Sequence, residues 1–215
     1  MKLTYATLVI LLTFSISTLS AQQEYFEYGF KGGINLSTIS GDNVSNYETR
    51  TSMNIGGYGL YKILPKFGIQ AELLYSEQGF SNEFSDIDQT TNEEIDIDEI
   101  LRMQYINLPV LLSYNVVENL WVEGGVQVGY LVDAELEQET VRLGDTQQLI
   151  SETENINQND RYESVDFALA GGLRYKLNQN FMVQARYTNG ITDVDKETPG
   201  DQYNSIFSFS VGFVF

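Results

Sequence analysis

Cysteine and histidine are both missing from this 215-residue chain. Without cysteine there is no disulfide framework and no thiolate metal site. Without histidine, Ser-His and Cys-His catalysis, imidazole metal ligation and imidazole pH switching all drop out. Basic residues are scarce too. Only 12 Lys and Arg stand against 30 Asp and Glu, a formal net charge of −18. Nucleic-acid binding rests on neutralising phosphates with Lys and Arg, so no nucleic-acid partner is expected. Proline is down to 3 residues. After residue 21, no apolar run approaches the ~18 residues that a helical span needs. A mature chain that lives in a membrane must therefore cross it as a closed barrel.

What is present points to β-structure. The chain has 14 Tyr, 12 Phe and 18 Gly, a composition that suits strands with close approaches and bends. Its length fits one domain with a core of its own. The start reads as an address. Lys2 supplies a positive end, Leu8-Val9-Ile10-Leu11-Leu12 heads an apolar stretch running to Leu19, and small residues follow at Ser20 and Ala21. This predicts a cleaved signal peptide over 1–21, with 22–215 as a single barrel domain. The lipobox cysteine of a lipoprotein is absent.

Period-two alternation dominates the rest. From Tyr203 onward, odd positions read Tyr, Ser, Phe, Phe, Val, Phe, Phe, while even positions include Asn204, Ser208, Ser210 and Gly212. A helix would scramble that pattern around its circumference. Phe181, Val183, Ala185 and Tyr187 oppose Gln184, Arg186 and Thr188. Val165, Phe167, Leu169, Leu173 and Tyr175 oppose Asp166, Ala168, Gly172, Arg174 and Lys176. Similar runs surround Val126, Leu108 and Ile69. A Gly-rich second strand, near 51–62, has ambiguous facing, and the first, near 25–36, sets Phe26, Tyr28 and Phe30 against Glu27 and Lys31. The reading is eight strands of roughly 10–13 residues, enough for the ~9–11 of a tilted membrane strand.

Connections alternate in length. Short ones fall at 64–66, 115–119 and 178–180, and long ones at 37–50, 80–99, 133–162 and 192–202. Every long connection is odd-numbered. That predicts an all-β, eight-stranded antiparallel up-and-down transmembrane β-barrel with short periplasmic turns and long extracellular loops. The polar face decides the orientation. It mixes Lys31, Glu72, Glu123, Arg174, Lys176 and Arg186 with Gly, Ala and Ser, residues that fill a narrow interior and pair across it. The apolar face is therefore expected to meet lipid.

Several stretches are similar to known proteins. Gly29-Phe30-Lys31-Gly32-Gly33-Ile34-Asn35, Gln70-Ala71-Glu72-Leu73-Leu74-Tyr75-Ser76 with Gly79-Phe80, and Tyr105-Ile106-Asn107-Leu108-Pro109-Val110 are three. Gly124-Gly125 and the terminal Phe-X-Phe-X-Val-Gly-Phe-X-Phe run complete the set. In their order and spacing the chain resembles the PorT-like family of outer-membrane β-barrel proteins, often labelled porin-family proteins. The resemblance implies an eight-stranded barrel in a Gram-negative outer membrane. It also implies that Phe215, with Phe213, is the C-terminal aromatic signal read by barrel-assembly machinery, a partner during biogenesis. It brings no catalytic residues and no cofactor.

The site expectations follow. Lys31, Glu72, Glu123, Arg174 and Arg186 should form a buried, paired, structural network, since eight strands leave room only for side chains and an unpaired interior charge is costly. A narrow ion path is the competing reading. Asp86, Asp88, Asp96 and Asp98 sit in an acidic connection that lacks the pattern of an EF-hand. They are weak metal candidates against the ordinary reading of a solvated acidic surface. Ile87, Ile95 and Ile97 among these acids hint at strands continuing above the membrane, where an edge can pair with a partner. No catalysis and no cofactor are expected. The functional reading is an integral outer-membrane protein, contacting lipid and presenting acidic loops to an extracellular or envelope partner. The alternatives are a small-solute channel and a soluble lipocalin-like periplasmic binder.

Overall fold

A computed structural model describes residues 25–44, 47–87, 94–143 and 149–215. Residues 1–21, expected as a signal peptide, and Asp88 lie outside these described residues. The described residues form nine strands: β1 Phe26–Gly41, β2 Glu48–Leu64, β3 Phe67–Ile87, β4 Glu94–Val117, β5 Leu120–Leu143, β6 Leu149–Asn157, β7 Val165–Lys176, β8 Phe181–Gly190 and β9 Gln202–Val214. All neighbours pair antiparallel. The order β4-β3-β2-β1-β9-β8-β7-β5 closes on itself through β4 and β5, giving a ring of eight strands. The ninth strand, β6, pairs with β5 from Glu135 to Leu143, above the level at which β7 takes over at Tyr130.

The turns on the short-turn rim are built by their own residues. Asn119 takes a positive φ of 67° in the β4–β5 turn, a conformation Asn tolerates. The Asn115 amide donates to the Val117 and Leu120 carbonyls at 3.0 and 3.1 Å. In the β7–β8 turn, the Asn178 side-chain oxygen accepts from the backbone N–H of Asn180 and Phe181. Both are local side-chain substitutes for a ladder bond.

The facing is that of a membrane barrel. Phe30 is 64% exposed and Leu112 66%, whereas Arg174 is fully buried. The ambiguous β2 resolves the same way, with Asn54, Tyr58 and Leu60 inward and Ile55, Tyr61 and Ile63 outward. Ring pairs gather at the lower rim, including Phe67 with Tyr114 and Phe181 with Phe213.

Strand lengths differ from the sequence expectation. The segments 80–99 and 133–162 were expected as loops, yet β3, β4 and β5 run through them for 21, 24 and 24 residues. That is more than twice the ~9–11 residues a membrane strand requires. The reason is visible along β4. From Ile106 to Tyr114 the even positions are apolar and exposed. From Asp96 to Gln104 they are polar apart from Ile100, and the odd positions Ile97, Leu101, Met103 and Tyr105 are buried. The pattern inverts near Gln104 and Tyr105, where a register shift interrupts the β4–β5 ladder. Below that level apolar residues face lipid. Above it they face inward, as in a barrel surrounded by water.

Candidate functional site

The barrel interior holds a continuous charged cluster. Glu72 on β3 meets Lys31 Nζ of β1 at 2.7 Å and accepts from both terminal nitrogens of Arg186 on β8, at 2.8 and 2.6 Å. Arg186 also reaches Glu123 of β5 at 3.3 Å. Arg174 Nε of β7 lies 3.0 Å from Glu123 Oε1, an ion pair whose angle makes no hydrogen bond. All five residues expected in the interior thus come together. Further members join them, Lys176 already expected on the inward polar face among them. Glu27 pairs with Arg174 at 2.6 Å and with Lys176. Gln184 accepts from Lys31 and donates to Glu123, both at 2.6 Å. Trp121 stacks its ring under the Arg174 guanidinium, 5.2 Å away. The polar parity of Glu27, Lys176 and Gln184 was readable, but partners across a barrel depend on strand stagger, which no single strand encodes.

Above this cluster lies a layer of amides and hydroxyls. Asn54 donates to Asn35, Asn35 to Ser76, and Ser210 to Asn54, at 2.7, 2.9 and 3.0 Å. The cavity among Lys31, Asn35, Asn54, Asn107, Gln127 and Arg186 measures about 20 Å³, room for one water. Higher still, the mouth is apolar. Ile39, Phe80, Leu101, Met103, Tyr105, Leu131, Tyr162 and Val194 pack into one buried cluster, and Tyr47 stacks on Phe80 at 3.7 Å.

A salt bridge fastens this cap. Arg161 holds Asp195 at 2.8 Å, and Tyr162 pairs with Asp195 as an isolated bridge. Burial works against the Asp195 carboxylate. Hydrogen bonds from Arg161, the backbone N–H of Glu197 and Thr198, and the Thr198 hydroxyl outweigh it and bring its pKa down to about 2.

An apolar exterior, a charged packed interior and a ring of eight strands together describe a lipid-embedded barrel. The family model "Outer membrane protein beta-barrel domain" matches residues 20–196. The chain belongs to this outer-membrane β-barrel family. Its place is the cell outer membrane. Among solved structures, it is similar to Ail, the attachment invasion locus protein of Yersinia pestis, at 14% identity and a TM-score of 0.47, covering 89% of this chain and 99% of that one. It is also similar to OprG from Pseudomonas aeruginosa, at 14% identity and a TM-score of 0.38, covering 89% and 97%. Neisserial surface protein A matches at 10% identity and a TM-score of 0.37, covering 89% and 97%. No curated protein matches.

This outer-membrane barrel carries an acidic sheet on the rim opposite its short turns. Upper β3, β4, β5 and β6 pair in that order, and Glu83, Asp98, Glu139 and Thr153 lie in one row across them. Like charges directly opposite one another are unfavourable. Within the row Glu139 accepts from the Ser151 hydroxyl at 2.6 Å, and nearby Glu137 pairs with Arg102. Asp96 accepts from the Ser85 hydroxyl at 2.8 Å. Among the described residues, no group of three or more Asp or Glu forms a metal-binding set. At the other rim, Phe213 and Phe215 project outward from the end of β9, 5.2 Å apart, and Phe215 stacks on Tyr28 at 5.4 Å.

Proposed function

We propose that this protein is a non-enzymatic outer-membrane anchor that presents an acidic β-sheet to partners outside the cell. The observation that carries the reading is the pairing of a filled interior with an ordered, acidic extension of β3 to β6. The charged cluster fills the barrel at a level where the interior cavity is only about 20 Å³, which favours an anchor over a small-solute channel. An extended or loop partner rich in Lys and Arg complements the row of Glu83, Asp98 and Glu139. The test uses a fluorescent oligolysine peptide and the purified barrel. Binding that weakens with salt is expected, and it should vanish when the β3–β4 and β5–β6 projections are replaced by short turns. Equal binding by the trimmed barrel would sink the interaction reading.

Three narrower proposals rest on sequence. The PorT-like likeness rests on the motifs set out above. Residues 1–21 are a removable leader, beside the residue-20 start of the family match, and Phe215 is a recognition element for barrel assembly. Protein recovered from outer membranes should begin near Gln22, and Phe215→Ser should lower its yield there. An intact Met1 or an unchanged yield would contradict the respective proposal.

A further inference from the structure

The lipid-facing wall of the barrel has a groove. Its floor is Gly57 and Gly59 of β2 with Ala71 of β3, one wall is the ring series Phe26, Tyr28, Phe215 and Phe30, and the other is Leu73 and Leu108. The rings form a continuous surface, with Tyr28 on Phe215 at 5.4 Å and Phe30 edge-on to Phe215 at 5.7 Å. The hollow measures about 750 Å³.

The small residue in its floor is not demanded by packing. A Cβ on Gly57 would meet nothing nearer than 3.6 Å, whereas one on neighbouring Gly56 would run into the Leu73 carbonyl. Glycine inside a strand weakens it, so Gly57 costs stability and leaves space. The β3–β4 ladder also lapses here. Pro109 has no N–H to donate, and pairing skips from Ala71–Val110 to Leu74–Asn107, passing over Leu73 and Leu108. The groove runs from the periplasmic rim, at Phe26 and Phe215, to mid-band at Phe30 and Leu108.

We propose that this groove is a binding site for one acyl chain of a phospholipid in the periplasmic leaflet. The hollow is continuous with the apolar band that already meets hydrocarbon. Its exposed surface is almost entirely carbon, and it opens at the rim where a phospholipid headgroup sits. Rings and a glycine floor let a chain lie flat against the backbone.

The test uses refolded barrel in vesicles containing phosphatidylethanolamine with a photoreactive acyl chain. In the unaltered protein, adducts should concentrate on peptides bearing Phe26–Phe30, Leu73, Leu108 and Phe215. Gly57→Leu fills the groove and should cut that labelling about tenfold, the loss of roughly two buried methylenes. Gly171→Leu is the control, because a Cβ there also meets nothing nearer than 3.9 Å and lies outside the groove. It should leave the labelling unchanged. Adducts spread evenly around the band would overturn the proposal, and that reading needs no variant to fold. So would equal groove labelling in Gly57→Leu, or a dimer lost in Gly57→Leu with no lipid adduct in the groove, which would make a second copy the occupant.

Discussion

Glu72 is the pivot of the interior. It is buried with three donors on its two oxygens, from Lys31, Arg186 and Gln70. Transfer of such charges from water is expensive, and full pairing offsets the cost. Removing one partner does not return the others to water. Glu72→Gln should therefore destabilise the barrel by about 3–5 kcal/mol in urea unfolding from vesicles, and a loss under about 1 kcal/mol would show that the cluster is solvated. Asp195 gives a different test, through pH. Its folded pKa of about 2 lies below the ordinary 3.8. A depressed carboxylate stabilises fully above its unfolded pKa and loses that contribution as pH falls through the folded one. Pepsin should cut within 191–201 rarely at about pH 4 and increasingly toward about pH 2. In Asp195→Asn the cutting should no longer follow pH in this way. Cutting already fast at about pH 4 in the unaltered protein would contradict the strap.

At the scale of the strand, the alternation carries two messages, and only one was legible in the sequence. Eight ring strands, the facing of all but β2, and the short turns followed from period-two runs such as Phe181 to Tyr187. The upper halves of β3 to β5, and β6 itself, did not. Their outward residues Asp96, Asp98, Glu135, Glu137 and Glu139 read as a solvated loop. What draws them into a sheet is the opposite parity, where Ile97 is buried and Leu101 and Leu136 pack with Phe80 in the mouth cluster. That benefit exists only once β1, the 158–164 connection and the 191–201 connection supply Ile39, Tyr162 and Val194 as partners. The isoleucines hinted at the extension without showing its pairing. The inversion predicts that facing, not hydrophobicity, sets the cost of a charge here. Leu101→Asp should open the 80–99 hairpin to protease while the ring of strands survives boiling-shift electrophoresis. Ile100→Asp, one residue away and outward, should leave it resistant. Equal sensitivity of the two variants would contradict the inversion.

For the molecule as a whole, the fold divides the work by height. A lipid-facing band holds the ring in the membrane. The charged cluster and the amide layer fill its bore, and an apolar cap strapped by Arg161 and Asp195 closes the extracellular mouth. Above them stands the acidic sheet. On the proposed reading, this stacking makes the barrel a support for the acidic sheet above it. On the proposed reading the bore is shut. The most direct measurement is the conductance of refolded protein in planar lipid bilayers under an applied voltage. A flat current with no discrete steps is expected, unchanged when the β3–β4 and β5–β6 projections are trimmed. Stable, ohmic steps from the intact protein would contradict it and restore the channel as the function.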